Sequence, residues 1–71
     1  DRTIILYESP HRLVKALEEI STFLGPERIV CVAREISKFF EEFKRGTATE
    51  LLEHFKKTPP KGEIVLLIKG T

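Results

Sequence analysis

The sequence predicts an α/β fold of the α+β kind. It is a two-layer sandwich of order βαββαβ, in which a mixed sheet carries two helices on one face. Three observations lead there. Two segments repeat apolar residues at helical spacing and open with helix-start signals. Four short segments have the apolar runs or the alternation of strands. Strand, helix and strand succeed one another twice, which implies right-handed crossovers and parallel strand pairs. A ferredoxin-like strand order is the default for this pattern.

The first strand is predicted over residues 3–7. It stops in the polar cluster Glu8, Ser9, Pro10, His11 and Arg12. Ser9 is a good N-cap, because its hydroxyl can accept from the first-turn N–H groups. Pro10 suits the first helical position, where no donor is needed. The helix then runs over 10–24. Leu13, Ala16, Leu17, Ile20 and Leu24 share one face, while Lys15, Glu18 and Glu19 lie off it. Gly25 suits the residue past the helix end and Pro26 blocks continuation.

The second strand is predicted over 28–33. Its run IVCVA is almost wholly apolar, which suggests burial on both faces. Residues 39–44 alternate weakly and form a third strand. Phe39, Glu41 and Phe43 fall on one side, and Phe40, Glu42 and Lys44 on the other. Glu41 or Glu42 would stand on a partly buried surface, which calls for a partner. Arg45 and Gly46 predict a turn. Thr47 and Glu50 have the spacing of a capping box. The second helix reaches about Lys57 and buries Leu51, Leu52 and Phe55, with Lys56 and Lys57 matching the charge of its C-terminus. Residues 58–62, TPPKG, form a rigid connection. The last strand, 63–69, is continuously apolar at its centre and belongs inside the sheet.

The 71 residues make one small domain. A chain of that size buries only about 60% of its unfolded surface, so its stability is marginal. The net charge of +1 gives no bulk attraction to nucleic acid, so such a contact needs a local patch. The single cysteine, Cys31, has no partner for an internal disulfide and reads as a buried small hydrophobe. That fits a reducing, cytoplasmic setting. There is no membrane-length apolar run and no signal-peptide pattern. The sequence lacks an initiator Met and opens almost inside a strand, so residues 1–71 are expected to be a domain of a longer protein.

Most signals of chemistry are missing. The sequence has no GxGxxG or Walker loop, no CxxC and no HExxH, and no metal site is expected. What remains is polar. Strands one and two would end on the same sheet edge, which brings Glu8, Ser9, His11 and Arg12 beside Arg34, Glu35, Ser37 and Lys38. Ligands bind at such strand ends and helix N-termini, where donors are unpaired. Arg12 and Arg34 can hold a phosphate or a carboxylate bidentately. A capped helix start with an internal salt-bridge network explains the same residues equally well.

Several motifs are recognisable: LYESPHRL at 6–13, VAREISKFFEE at 32–42, RGT at 45–47 and KGEIVLLIKG at 61–70. In this order and spacing the chain closely resembles the C-terminal domain of the bacterial 16S rRNA 2′-O-ribose methyltransferase I family. That family lies within the tetrapyrrole (corrin/porphyrin) methylase superfamily. The resemblance implies the second-domain fold of that superfamily and a homodimeric two-domain enzyme. S-adenosylmethionine would bind between the domains, jointly with an N-terminal domain. Methyl would pass to the ribose 2′-hydroxyl of a cytidine in 16S rRNA of the small ribosomal subunit, and the fragment alone would be inactive. By position in the motifs, Tyr7, Glu8, Ser9, Ile36 and Ser37 would face the cofactor. His11, Arg12, Arg34 and Lys38 would touch RNA, and Glu35 or Glu41 could accept the hydroxyl proton.

Two alternatives stand beside this reading. One is a tetrapyrrole or corrin methylase domain. The other is a ferredoxin-like module that binds a small molecule or regulates. An RNA-recognition platform of the RRM type is a variant of the latter, but its aromatic-rich signature is missing.

Overall fold

Local chemistry sets the elements: β1 (Ile4–Glu8), α1 (Pro10–Leu24), β2 (Ile29–Glu35), β3 (Phe40–Thr47), α2 (Ala48–Lys57) and β4 (Ile64–Ile68). The computed structural model describes residues 2–35 and 40–70, the side chains of Phe40 and Glu41 apart. Both helices keep their expected bounds. At the head of α2 the capping box is complete. Glu50 N–H donates to Thr47 Oγ1 at 3.1 Å, and Thr47 N–H donates to Glu50 Oε1 at 2.8 Å. Ser9 occupies the N-cap of α1 with extended backbone, but its side chain makes no capping bond. The helix start rests instead on Pro10 and on the Arg12 N–H, which donates to the Ser9 carbonyl at 3.0 Å.

The expected turn at Arg45 and Gly46 is replaced by strand. Arg45 pairs with Cys31, Gly46 with Val30 and Thr47 with Ile29, so β3 runs straight into the α2 cap. Gly46 has a different use. A Cβ there would lie 2.9 Å from Glu50 Oε1, so its bare backbone makes room for the capping carboxylate. The irregular alternation of the third strand also has a cause. A register shift between Arg34 and Glu35 pairs Arg34 with Glu42 but Glu35 with Phe40. One extra residue on the β3 side is the signature of a β-bulge.

The sheet order is β1-β4-β2-β3, and every neighbouring pair is antiparallel. This corrects two expectations. The sheet is not mixed, and its order is not ferredoxin-like, since the first strand lies at an edge. β1 and β2 do run in one direction, but β4 lies between them and pairs with both. The two crossovers interleave: β1–α1–β2 straddles β4, and β3–α2–β4 straddles β2. The most apolar strand, IVLLI, thereby becomes an interior strand, as its composition demands.

The two-layer sandwich is as expected. Val30, Val32, Ile64, Leu66 and Ile68 alternate inward from the central strands. They meet Leu13, Leu17 and Ile20 of α1 and Ala48, Leu51 and Phe55 of α2. Among the described residues no helix covers the opposite face. Cys31 is only half-buried there, so β2 is not buried on both sides as its composition suggested. Ile5, Tyr7 and Phe43 on the same face are largely exposed.

Candidate functional site

Antiparallel pairing gathers six chain ends at one edge of the sheet. β1 and β2 finish there, at Glu8 and Glu35, and β3 and β4 begin there, at Phe40 and Ile64. α1 starts and α2 finishes on the same side. Glu8 and Arg34 are both register partners of Ile64, one on either side of it. Partners of a shared residue lie two strand spacings apart, about 10 Å, with side chains on one face. The two polar clusters therefore share an edge, as expected, although the first strand is not the second strand's neighbour.

Glu8 and Arg12 are coupled. Arg12 Nε lies 3.6 Å from Glu8 Oε1, with the Glu8 side chain 19% exposed and Arg12 58% exposed. The carboxylate is thus sheltered and the guanidinium reaches outward. Tyr7, next in line, points to the uncovered face and is 80% exposed. Consecutive strand residues alternate sides, so Tyr7 and Glu8 can meet one ligand only around the strand tip. His11 and Ser9 are exposed beside it.

On the second strand, Arg34 Nε donates to Glu42 Oε1 at 2.9 Å, and its Nη1 donates to the Lys61 carbonyl at 3.4 Å. Glu42 is exposed rather than set on a partly buried surface, its side chain 49% accessible, and Arg34, at 23%, is the more sheltered member of the pair. Glu35 is half-buried, and its N–H donates to the Glu63 carbonyl at 3.0 Å. Ile36, Ser37, Lys38 and the Glu41 side chain lie outside the described residues.

Sequence reasoning missed the segment that separates the two clusters. Lys61, Gly62 and Glu63 enter β4 between the ends of β1 and β2. Gly62 has φ +85°, and a Cβ there would lie 2.3 Å from the Glu35 carbonyl oxygen. Only glycine permits both the backbone angle and the approach. Tyr7, Glu8, Ser9, Pro10, Gly62 and Glu63 line a cavity of about 300 Å³ at the strand tips. Its walls offer a sheltered carboxylate, a hydroxyl without a capping bond and the first turn of a helix. Such a set can accept hydrogen bonds from hydroxyl or ammonium groups and donate backbone N–H groups to an anion. The signal was present in Lys61-Gly62-Glu63, but Lys61 and Gly62 read as a connection and Glu63 as the start of the last strand, and their motif was given no place at the site.

No family model matches the chain. Curated proteins do. One from Synechocystis sp., named ribosomal RNA small subunit methyltransferase I, is 51% identical over 70 residues, covering 99% of this chain and 25% of that protein. A protein of the same name from Thermotoga maritima is 41% identical over 70 residues, covering 99% and 31%. Another from Bacillus subtilis is 41% identical over 69 residues, covering 97% and 23%. The chain spans about a quarter of the length of these relatives. The resemblance carried by its motifs thus holds over almost every residue.

Proposed function

We propose that this chain, homologous over nearly its whole length to about a quarter of ribosomal RNA small subunit methyltransferase I, is the C-terminal domain of such an enzyme. The full protein is a cytoplasmic, homodimeric methyltransferase that modifies the ribose 2′-hydroxyl of a cytidine in 16S rRNA. The observation that carries the reading is the 51% identity across 99% of the chain. The polar sheet edge supports it, because the motif residues 7–10 line a glycine-dependent cavity there. No described helix is long and apolar enough to cross a membrane.

When bound, S-adenosylmethionine supplies the electrophilic methyl group. The donor set fits it: the Glu8 carboxylate and Ser9 hydroxyl suit its ribose hydroxyls and ammonium group, and Tyr7 offers an exposed ring to its purine. By their place in the motif, Ile36 and Ser37 are assigned to the same ligand. This edge supplies half of the site, and the domain alone is inactive. Arg12 balances the charge of Glu8 and, with His11 and Arg34, is assigned to RNA phosphates, as is Lys38 by its place in the motif. Glu35 or Glu41 receives the hydroxyl proton, while orientation of the ribose supplies most of the acceleration.

Calorimetric titration of S-adenosylhomocysteine into the full-length protein and into residues 1–71 tests this. Binding to the full protein that is weak or absent in the domain, and at least tenfold weaker in full-length Glu8→Ala or Arg12→Ala, is the expected result. An intact full-length protein that binds no S-adenosylhomocysteine would sink the reading. The cluster would then be a helix start with a salt bridge.

A further inference from the structure

The same sheet edge carries a second groove, away from the Glu8–Arg12 cluster. It runs between β3 and the connection from α2 to β4, with a volume of about 360 Å³. Arg34, Glu42, Lys44, His54, Pro59 and Pro60 line it. A hollow of that size takes one nucleotide-sized ligand.

Its chemistry pairs flat apolar surface with positive charge. Pro59 and Pro60 present their rings side by side in sequence. His54 meets the Phe55 ring edge to face, with centroids 4.7 Å apart and planes at 83°. That contact orients the imidazole without laying a parallel ring over it. Glu42 is the one carboxylate in this set, and Arg34 holds it at 2.9 Å. Lys44, exposed on β3, then carries the remaining charge. The flanking chain adds more. Residues 54–62, HFKKTPPKG, contain three lysines and no acid, in a chain whose net charge is only +1. Glu53 and Glu63 bound this stretch, so its positive charge is local; rings beside local positive charge are the combination by which proteins hold single strands.

We propose that this groove holds one nucleotide of single-stranded RNA, its base against the His54, Pro59 and Pro60 surface and its phosphate beside Lys44. The substrate class rests on the methyltransferase reading above. The groove grips rather than reads, because every base offers a π-face and the lining presents few fixed hydrogen-bond partners. It lies on the β3 side of Arg34, so a strand bound there passes along the edge toward the cavity at Glu8.

The test uses the full-length protein and a fluorescent single-stranded RNA oligonucleotide from the 16S decoding region. Anisotropy is measured over a salt series, with S-adenosylhomocysteine titrated in parallel. Lys44→Ala should weaken RNA binding and lower the slope of log K against log salt by about 0.7, the value for one phosphate contact. His54→Ala should weaken binding about tenfold, with the slope unchanged. Both variants should keep the wild-type affinity for S-adenosylhomocysteine, which shows that they remain folded. Equal RNA affinity and slope in wild type and both variants would overturn the proposal while leaving the methyltransferase reading intact. Variants that bind the oligonucleotide normally but lose the intact small subunit would assign the groove to a ribosomal protein, which also overturns it. A wild-type protein that binds S-adenosylhomocysteine but no RNA would remove the groove and the RNA substrate together.

Discussion

At the residue scale, single atoms decide how close the edge segments approach. Gly62 sits at φ +85° with the Glu35 carbonyl where a Cβ would stand. An alanine must move one strand end or the other. Gly62→Ala is expected to cost about 1–3 kcal/mol and to lower the melting temperature by roughly 4–8 °C for each kcal/mol in a domain of this size. Thermal unfolding followed by circular dichroism checks it, and an unchanged melting temperature would mean that the approach is slack. The Glu8–Arg12 pair is the opposite case. Its guanidinium is more than half exposed, so the pair adds little to stability, and its value is to hold a carboxylate in place beside the cavity.

At the scale of the element, the two helices start by different means. α2 has a reciprocal capping box, and α1 has only Pro10 and a backbone bond to the Ser9 carbonyl. The sequence marks both Ser9 and Thr47 as caps, and only Thr47 caps with its side chain. Thr47→Ala should therefore destabilise the chain by about 1 kcal/mol, whereas Ser9→Ala should stay within about 0.5 kcal/mol. Urea titration of the two variants distinguishes them. Equal losses would show that the Ser9 hydroxyl does cap in solution, which would argue against a role for it toward a ligand. β1 stands apart among the strands. Like β3 it is an edge strand, paired only with β4, but four of its five residues, Ile4, Ile5, Leu6 and Tyr7, are exposed apolar or aromatic side chains.

At the scale of the whole molecule, stability comes from one thin core between a sheet and two helices. Leu17 is fully buried among residues of the same cluster. Leu17→Ala should cost about 2–5 kcal/mol, against a total of about 5–15 kcal/mol for ordinary domains, of which a chain this short holds the lower end. The variant is expected to be largely unfolded at 37 °C by circular dichroism. A cooperative transition above that temperature would show a stronger core than this one.

The sequence by itself determined the number and order of the elements, the side-chain cap of α2 and most inward helix positions, because each depends on neighbours within a few residues; the Ser9 cap, the end of β3 and exposed Leu24 departed from it. The spacing of Leu13, Leu17 and Ile20 places them on the buried side of α1 whatever the sheet does, and Thr47 reaches Glu50 across a single turn. The motif residues 6–13, 32–42, 45–47 and 61–70 also carried the resemblance. Tertiary structure alone decided the rest. Strand order depends on backbone pairing between segments as far apart as Ile4 and Ile68, and no local pattern records that β4 will insert between β1 and β2. That insertion makes the sheet antiparallel throughout. It sends Gly62 and Glu63 between the two polar clusters and leaves one face of β2 half-exposed. Composition reports how apolar a strand is, whereas only the fold reports which of its sides is covered.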